Sequence, residues 1–200
     1  MRKGRLEAFS DCVFSIIITV MLLNLRVPQT SDFQGLVAVL PLFLGYLLSY
    51  VYVGIYWNNH HHLFQAAEYV SGSILWSNLH LLFWLSFAPL ATSWMGQNYH
   101  APAPVAFYGF VLLLSGIAYY ILTRNLVACH GKDSALAMSV GHDTKGRLSV
   151  IIYALAIPLA FVSTWVAFAG YIFVAIMWLL PDPRIEKVVR DGIAGKPHVD

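Results

Sequence analysis

Long apolar stretches alternate with short polar ones along this chain, and each apolar stretch approaches the roughly 20 residues a helix needs to cross a bilayer. The pattern predicts helices at about 5–26, 34–57, 73–96, 105–127, 147–163 and 165–180. Pro28 and the polar run QTSD end the first, and Ser31 or Asp32 can cap the second. The second contains Pro41 and continues as a polar helix through Asn58, Asn59, His60, His61 and His62. A loop follows around Glu68 to Gly72, and Pro89 interrupts the third stretch. Gly96 to Pro104 reads as a loop by its Gly, Asn and Pro content, as does the polar segment 128–146, with room there for a short helix. A very tight turn joins the last two stretches, and Pro181 and Pro183 end the second of them. The expected fold is therefore all-α: a polytopic membrane protein with one six-span domain at 1–183 and a polar tail at 184–200.

Composition agrees with a bilayer environment. Apolar residues make up 58% of the chain and charged residues 11%, against about 25% charged in soluble domains. The first stretch lacks a small-residue cleavage site and is expected to be retained as a helix. The basic residues fix an orientation. With six spans, Arg2, Lys3 and Arg5, the group Arg124, Lys132, Lys145 and Arg147, and the tail residues Arg184, Lys187, Arg190 and Lys196 share one side, and only Arg26 lies on the other. The positive-inside rule then puts both termini in the cytoplasm of a cell-membrane protein. A net charge of +2, without a basic patch interleaved with aromatics, gives no reason to expect a nucleic-acid partner. Cys12 and Cys129 supply neither a disulfide framework nor metal-ligand spacing. Trp57, Trp76, Trp94 and Trp178 fall near predicted helix ends, as an interfacial belt does.

The first helix carries the most informative pattern. It opens with charge, places Asp11 within an apolar run, and is uncharged from Cys12 to Leu25. A carboxylate inside a membrane-length helix is costly and reads as functional by default. At about 100° per residue, Arg5, Phe9, Cys12, Ile16, Thr19, Leu23 and Arg26 fall on one stripe spanning about 60–160° from Asp11. Val20 lies at its margin, and Ser15 between it and the face of Ser10 and Asp11. Such a stripe suits either a narrow pore with an apolar waist or an ordinary helix–helix seam. Ser10, Ser15 and Thr19 can likewise coordinate an ion or bond to their own helix backbone.

Arg5 and Asp11 need partners. Six-span topology brings Trp57, Asn59, His60, His61, Asn78 and His80 to the same membrane face. Consecutive histidines point about 100° apart, so only His60 or His61 can join a cluster, and His62 points away. The group reads as structural network, gate or proton sensor; the i,i+4 pairs of a zinc site are missing, and neither metal nor cofactor is expected. A proton-coupled secondary transporter built on Arg5, Asp11 and a histidine would be expected to show paired inverted halves, and none is evident. An enzyme would need a converging nucleophile and base, and the sequence offers no such pair.

The run R-x-x-x-F-S-D at Arg5 to Asp11, with YWNNHHHLF at 56–64, WSNLHLLFWLSFAPLATSWMG at 76–96 and WLLPDPRIE at 178–186, resembles the transmembrane protein 175 family of potassium channels. Animal members carry two six-span repeats and this chain one, so it looks like a prokaryotic member. The resemblance implies a homotetramer in the lipid bilayer, with the first helix of each subunit around a central pore. It implies an apolar constriction at Ile16 and Leu23, with Val20 ranked lower, in place of a carbonyl filter. It implies selection of potassium over sodium, with Ser15 and Thr19 as the residues concerned, and a network of Arg5, Ser10 and Asp11 with a second-span histidine. Proton conduction is the alternative. Cys12 stands where the family usually has glycine. On this reading the first helix points its partial negative end outward, which favours cations there. Arg26 opposes this unless it pairs, for example with Asp32.

Overall fold

The computed structural model describes residues 3–131, 134, 137 and 144–179. Within them run seven α-helices: α1 (Lys3–Leu23), α2 (Phe33–Gln65), α3 (Gly72–Leu85), α4 (Ala88–Gln97), α5 (Pro102–His130), α6 (Thr144–Leu159) and α7 (Thr164–Leu179). The expected tail at 184–200, the prolines after the last helix and most of the polar loop before α6 lie outside the described residues.

Four units, α1, α2, the α3–α4 pair and α5, are long and apolar enough to cross a membrane. α7 is a shorter apolar helix, and α6 likewise has 16 residues. The boundaries follow local chemistry. Asp32 rather than Ser31 caps α2, its Oδ1 accepting from Gly35 N–H at 3.0 Å and from the Thr30 hydroxyl at 2.5 Å. These two bonds, the hydroxyl's first, hold its carboxyl below the usual carboxylate range. α2 absorbs Pro41 and runs unbroken past His62. The third stretch breaks at Ser86–Phe87, so Pro89 sits in the first turn of α4, where its missing N–H costs nothing. The turn between α6 and α7 falls earlier than the pattern suggested. α6 ends at Leu159, just after Pro158, and Leu159 O accepts from Val162 and Ser163 N–H.

The core has two adjoining parts. One joins α1, the later half of α2, α3 and the later half of α5; the other joins α4, the earlier half of α5, α6 and α7 around Tyr52 and Tyr171. Small residues set the close approaches, as they do where membrane helices pack without a hydrophobic driving force. A Cβ on Gly96 of α4 would lie 2.9 Å from the Leu42 Cα of α2. A Cβ on Gly109 would lie 2.1 Å from the Tyr171 hydroxyl. That hydroxyl donates to Val105 O at 3.1 Å, while the Tyr171 carbonyl accepts from the Tyr52 hydroxyl at 2.5 Å. Tyr171 thus ties α7 to α5 and α2. Gly109→Ala must displace it, and the variant is expected to lose about 2–4 kcal/mol from overpacking and broken bonds. Thermal unfolding in detergent measures this; an unchanged midpoint would show that the ring relocates without cost.

Candidate functional site

α1 settles its two stripes in opposite ways. Leu6, Ser10, Phe14, Ile17 and Met21 are buried against α2, α3 and α4. Arg5, Phe9, Cys12, Ser15, Ile16, Thr19, Val20 and Leu23 are exposed, Ile16 to 61% and Leu23 to 77%. The seam inside the chain is therefore the first set, and the stripe picked out by periodicity is covered by no other helix among the described residues. Its hydroxyls are held from within. Ser15 donates to Asp11 O and Thr19 to Ser15 O, each at 2.8 Å. Each hydroxyl commits its one proton to the helix and keeps oxygen lone pairs free, which is the polarity that suits a cation.

The polar residues expected to form one cluster form two. Ser10 and Asp11 are about 100° apart on α1, so they address different neighbours. Ser10, fully buried, donates to Leu6 O at 2.9 Å and accepts from Asn78 Nδ2 of α3 at 3.0 Å. Asn78 Oδ1 lies 2.8 Å from His60 Nε2 of α2, and both residues are buried. The Asn78 amide donates on one side, so its oxygen faces a histidine that donates Nε2–H. This chain ties three helices together with every member bonded. The His60 ring packs against Phe14 and Phe64.

Asp11 takes one partner from the expected group. Its carboxylate is exposed at the edge of α1 and accepts from Trp57 Nε1 at 2.9 Å. His61 stacks on the Trp57 ring at 6.0 Å, and His62 meets His61 edge-on. Arg5 and two of the expected partners lie elsewhere. Arg5 is exposed on the uncovered stripe and bonds to none of these groups among the described residues. Asn59 turns back on its own helix to Ile55 O. His80 accepts from Trp84 Nε1 at 2.9 Å on the exposed side of α3, because it stands about 200° around that helix from Asn78. Among the described residues no three His, Cys, Asp or Glu side chains come together to hold a metal ion.

Beyond the other end of α1, Arg26 does not pair with Asp32. Its guanidinium donates to Gln97 Oε1 at 2.6 Å, and a neutral amide leaves the positive charge in place. Two further ties had no sequence signal, because their partners are more than 60 residues apart. Lys3 Nζ donates to Ala67 O at 2.8 Å. His130 Nε2 accepts from Glu68 N–H at 3.0 Å, which pins the α2–α3 loop to the end of α5.

A helical bundle with several membrane-length apolar units, and a helix face of apolar and hydroxyl side chains left open, defines a polytopic membrane protein of the transport class. The chain belongs to the TMEM175 family of ion channels. The family model described as endosomal/lysosomal potassium channel TMEM175 matches residues 5–89. A potassium channel of Chryseobacterium sp. (strain P1-3) is 51% identical over 192 residues, covering 96% of this chain and 100% of that one. The crystal structure of a lysosomal potassium-selective channel TMEM175 homolog from Chamaesiphon minutus matches with a TM-score of 0.73 at 27% identity, covering 88% of this chain and 96% of that one. The endosomal/lysosomal proton channel TMEM175 of Bos taurus is 43% identical over 76 residues, 32% of this chain and 16% of that one.

Proposed function

We propose that this protein is a cation channel of the cell membrane that passes potassium in preference to sodium. Four copies assemble with their α1 helices around a central pore. The observation that carries the reading is the open α1 face, on which Ile16, Thr19 and Leu23 stand uncovered among the described residues while the opposite face of the same helix supplies the internal seam. A large contiguous apolar face on a membrane helix calls for a partner or a pathway, and the hydroxyl oxygens along it favour a pathway. Four Ile16 side chains form the waist, Leu23 a second apolar ring, and Val20 borders them. Such a ring blocks by dewetting when narrow and conducts when slightly wider. Thr19 and Ser15 offer lone pairs on either side of the waist and bear on ion preference. In this topology α6 and α7 are the fifth and sixth spans, and both termini face the cytoplasm. The Ser10–Asn78–His60 chain holds α1 in register, and the Asp11–Trp57 bond ties its inner end to α2.

Flux from liposomes holding the purified protein tests this reading. The expected result is uncoupled potassium flux faster than sodium flux under matched gradients. Potassium movement that occurs only with a proton gradient would make the protein a transporter. Proton conduction is the second reading, supported by the animal relatives named as proton channels. An internal pH dye in the same liposomes, with potassium absent, reports it.

A further inference from the structure

We propose that a cavity on the side of α2 turned away from α1 holds one acyl chain of an anionic phospholipid, with the lipid phosphate held by Arg147. The cavity measures about 400 Å³ and lies between α2, α5, α6 and α7, a volume typical of built small-molecule sites (about 300–1,000 Å³). Its walls are mostly apolar, with Ile55 of α2, Ile117 of α5 and Val150 of α6 among them. Gly116 creates part of the space. A Cβ there would meet the Tyr56 hydroxyl at 3.7 Å and Val150 Cγ2 at 3.9 Å, ordinary contacts that leave room beyond them. The Tyr56 hydroxyl makes no hydrogen bond among the described residues and lines the same space.

Charge selects the head group. Arg147, in the first turn of α6, lies at the cavity wall and is exposed. It forms no ion pair or hydrogen bond among the described residues. A guanidinium stays charged throughout the physiological range and grips a phosphate through two parallel N–H bonds. An apolar cavity beside such a cation complements a molecule with a greasy chain and an anionic head. A bilayer supplies that molecule at high local concentration. Free phosphate would leave the apolar wall unused, and a zwitterionic lipid would bring its own cation to Arg147.

Native mass spectrometry of the delipidated full chain in detergent tests the assignment, with phosphatidylglycerol and phosphatidylcholine of identical acyl chains as probes. The wild type is expected to take up one phosphatidylglycerol per chain, saturably, and about tenfold more tightly than phosphatidylcholine. Arg147→Gln should bring the two lipids to parity. Gly116→Leu, which projects a branched side chain into the cavity and obstructs it, should abolish uptake of both, while Gly116→Ala, which adds only a methyl group, should retain it. Val150→Phe obstructs the same space from α6 and replaces Gly116→Leu if that variant does not fold. The proposal is overturned if the wild type shows no saturable one-per-chain uptake, as it would with the cavity filled by the tail or a second copy. It is also overturned if a folded cavity-obstructing variant binds like wild type, or if Arg147→Gln keeps the lipid preference.

Discussion

Ile16→Asn is expected to turn the protein into an unselective leak, raising sodium flux by at least about tenfold, equivalent to lowering the barrier by about 1.4 kcal/mol, and bringing the potassium-to-sodium ratio close to one. Asn at the waist gives water and hydrated ions hydrogen bonds that a ring of isoleucines withholds, so dewetting no longer closes the path. The fold should tolerate the change, because Ile16 is 61% exposed within the chain. The neighbouring substitution supplies the contrast. Ile17 is 3% exposed and packs in the seam with Phe14 and Met21. Ile17→Asn buries an amide without a partner and removes packed methyl groups, at a cost of about 3–5 kcal/mol, so its effect should be lost folded protein and not altered selectivity. Liposome flux and the yield of folded protein measure the pair. Wild-type selectivity in Ile16→Asn would place the waist elsewhere.

The second large effect concerns Asn78. Asn78→Leu is expected to lower stability by about 2–3 kcal/mol, read as a fall in the thermal midpoint in detergent. Interhelical hydrogen bonds in membrane proteins average only about 0.6 kcal/mol each by double-mutant cycles, so the two lost bonds alone are a modest term. The larger part is the buried His60 imidazole left without its acceptor, worth about 1–3 kcal/mol. Trp57→Phe removes only the exposed bond to Asp11 and should cost less than about 1 kcal/mol of stability. A cycle pairing Asn78→Leu with His60→Ala should show strong coupling, since the second change removes the orphaned group. Equal losses for Asn78→Leu and Trp57→Phe would mean that burial does not distinguish the two networks.

The sequence by itself determined what depends on short-range period and polarity. The apolar runs gave the helices, and Asp32 and Pro89 lie close to where helices begin or break. The 3.6-residue period placed Arg5, Phe9, Ile16, Thr19 and Leu23 on one face of α1. Period alone could not say whether that face is a seam or an open surface, because an apolar stripe looks the same in both roles. Only the packing decided it, by burying Leu6, Ser10, Phe14, Ile17 and Met21 instead. Tertiary structure also divided the polar cluster. Ser10 and Asp11 are neighbours in the chain yet face different helices, so Asn78 and His60 serve the first and Trp57 the second. The six-span topology brought His80 and Asn59 into the same group, but their directions were set by rotation about α3 and α2, which places one beside Trp84 and turns the other back on its own backbone. Arg26 found Gln97 for the same reason: which side chain lies within reach across 71 residues depends on how the helices dock, and docking is a property of the whole apolar surface, not of any local run.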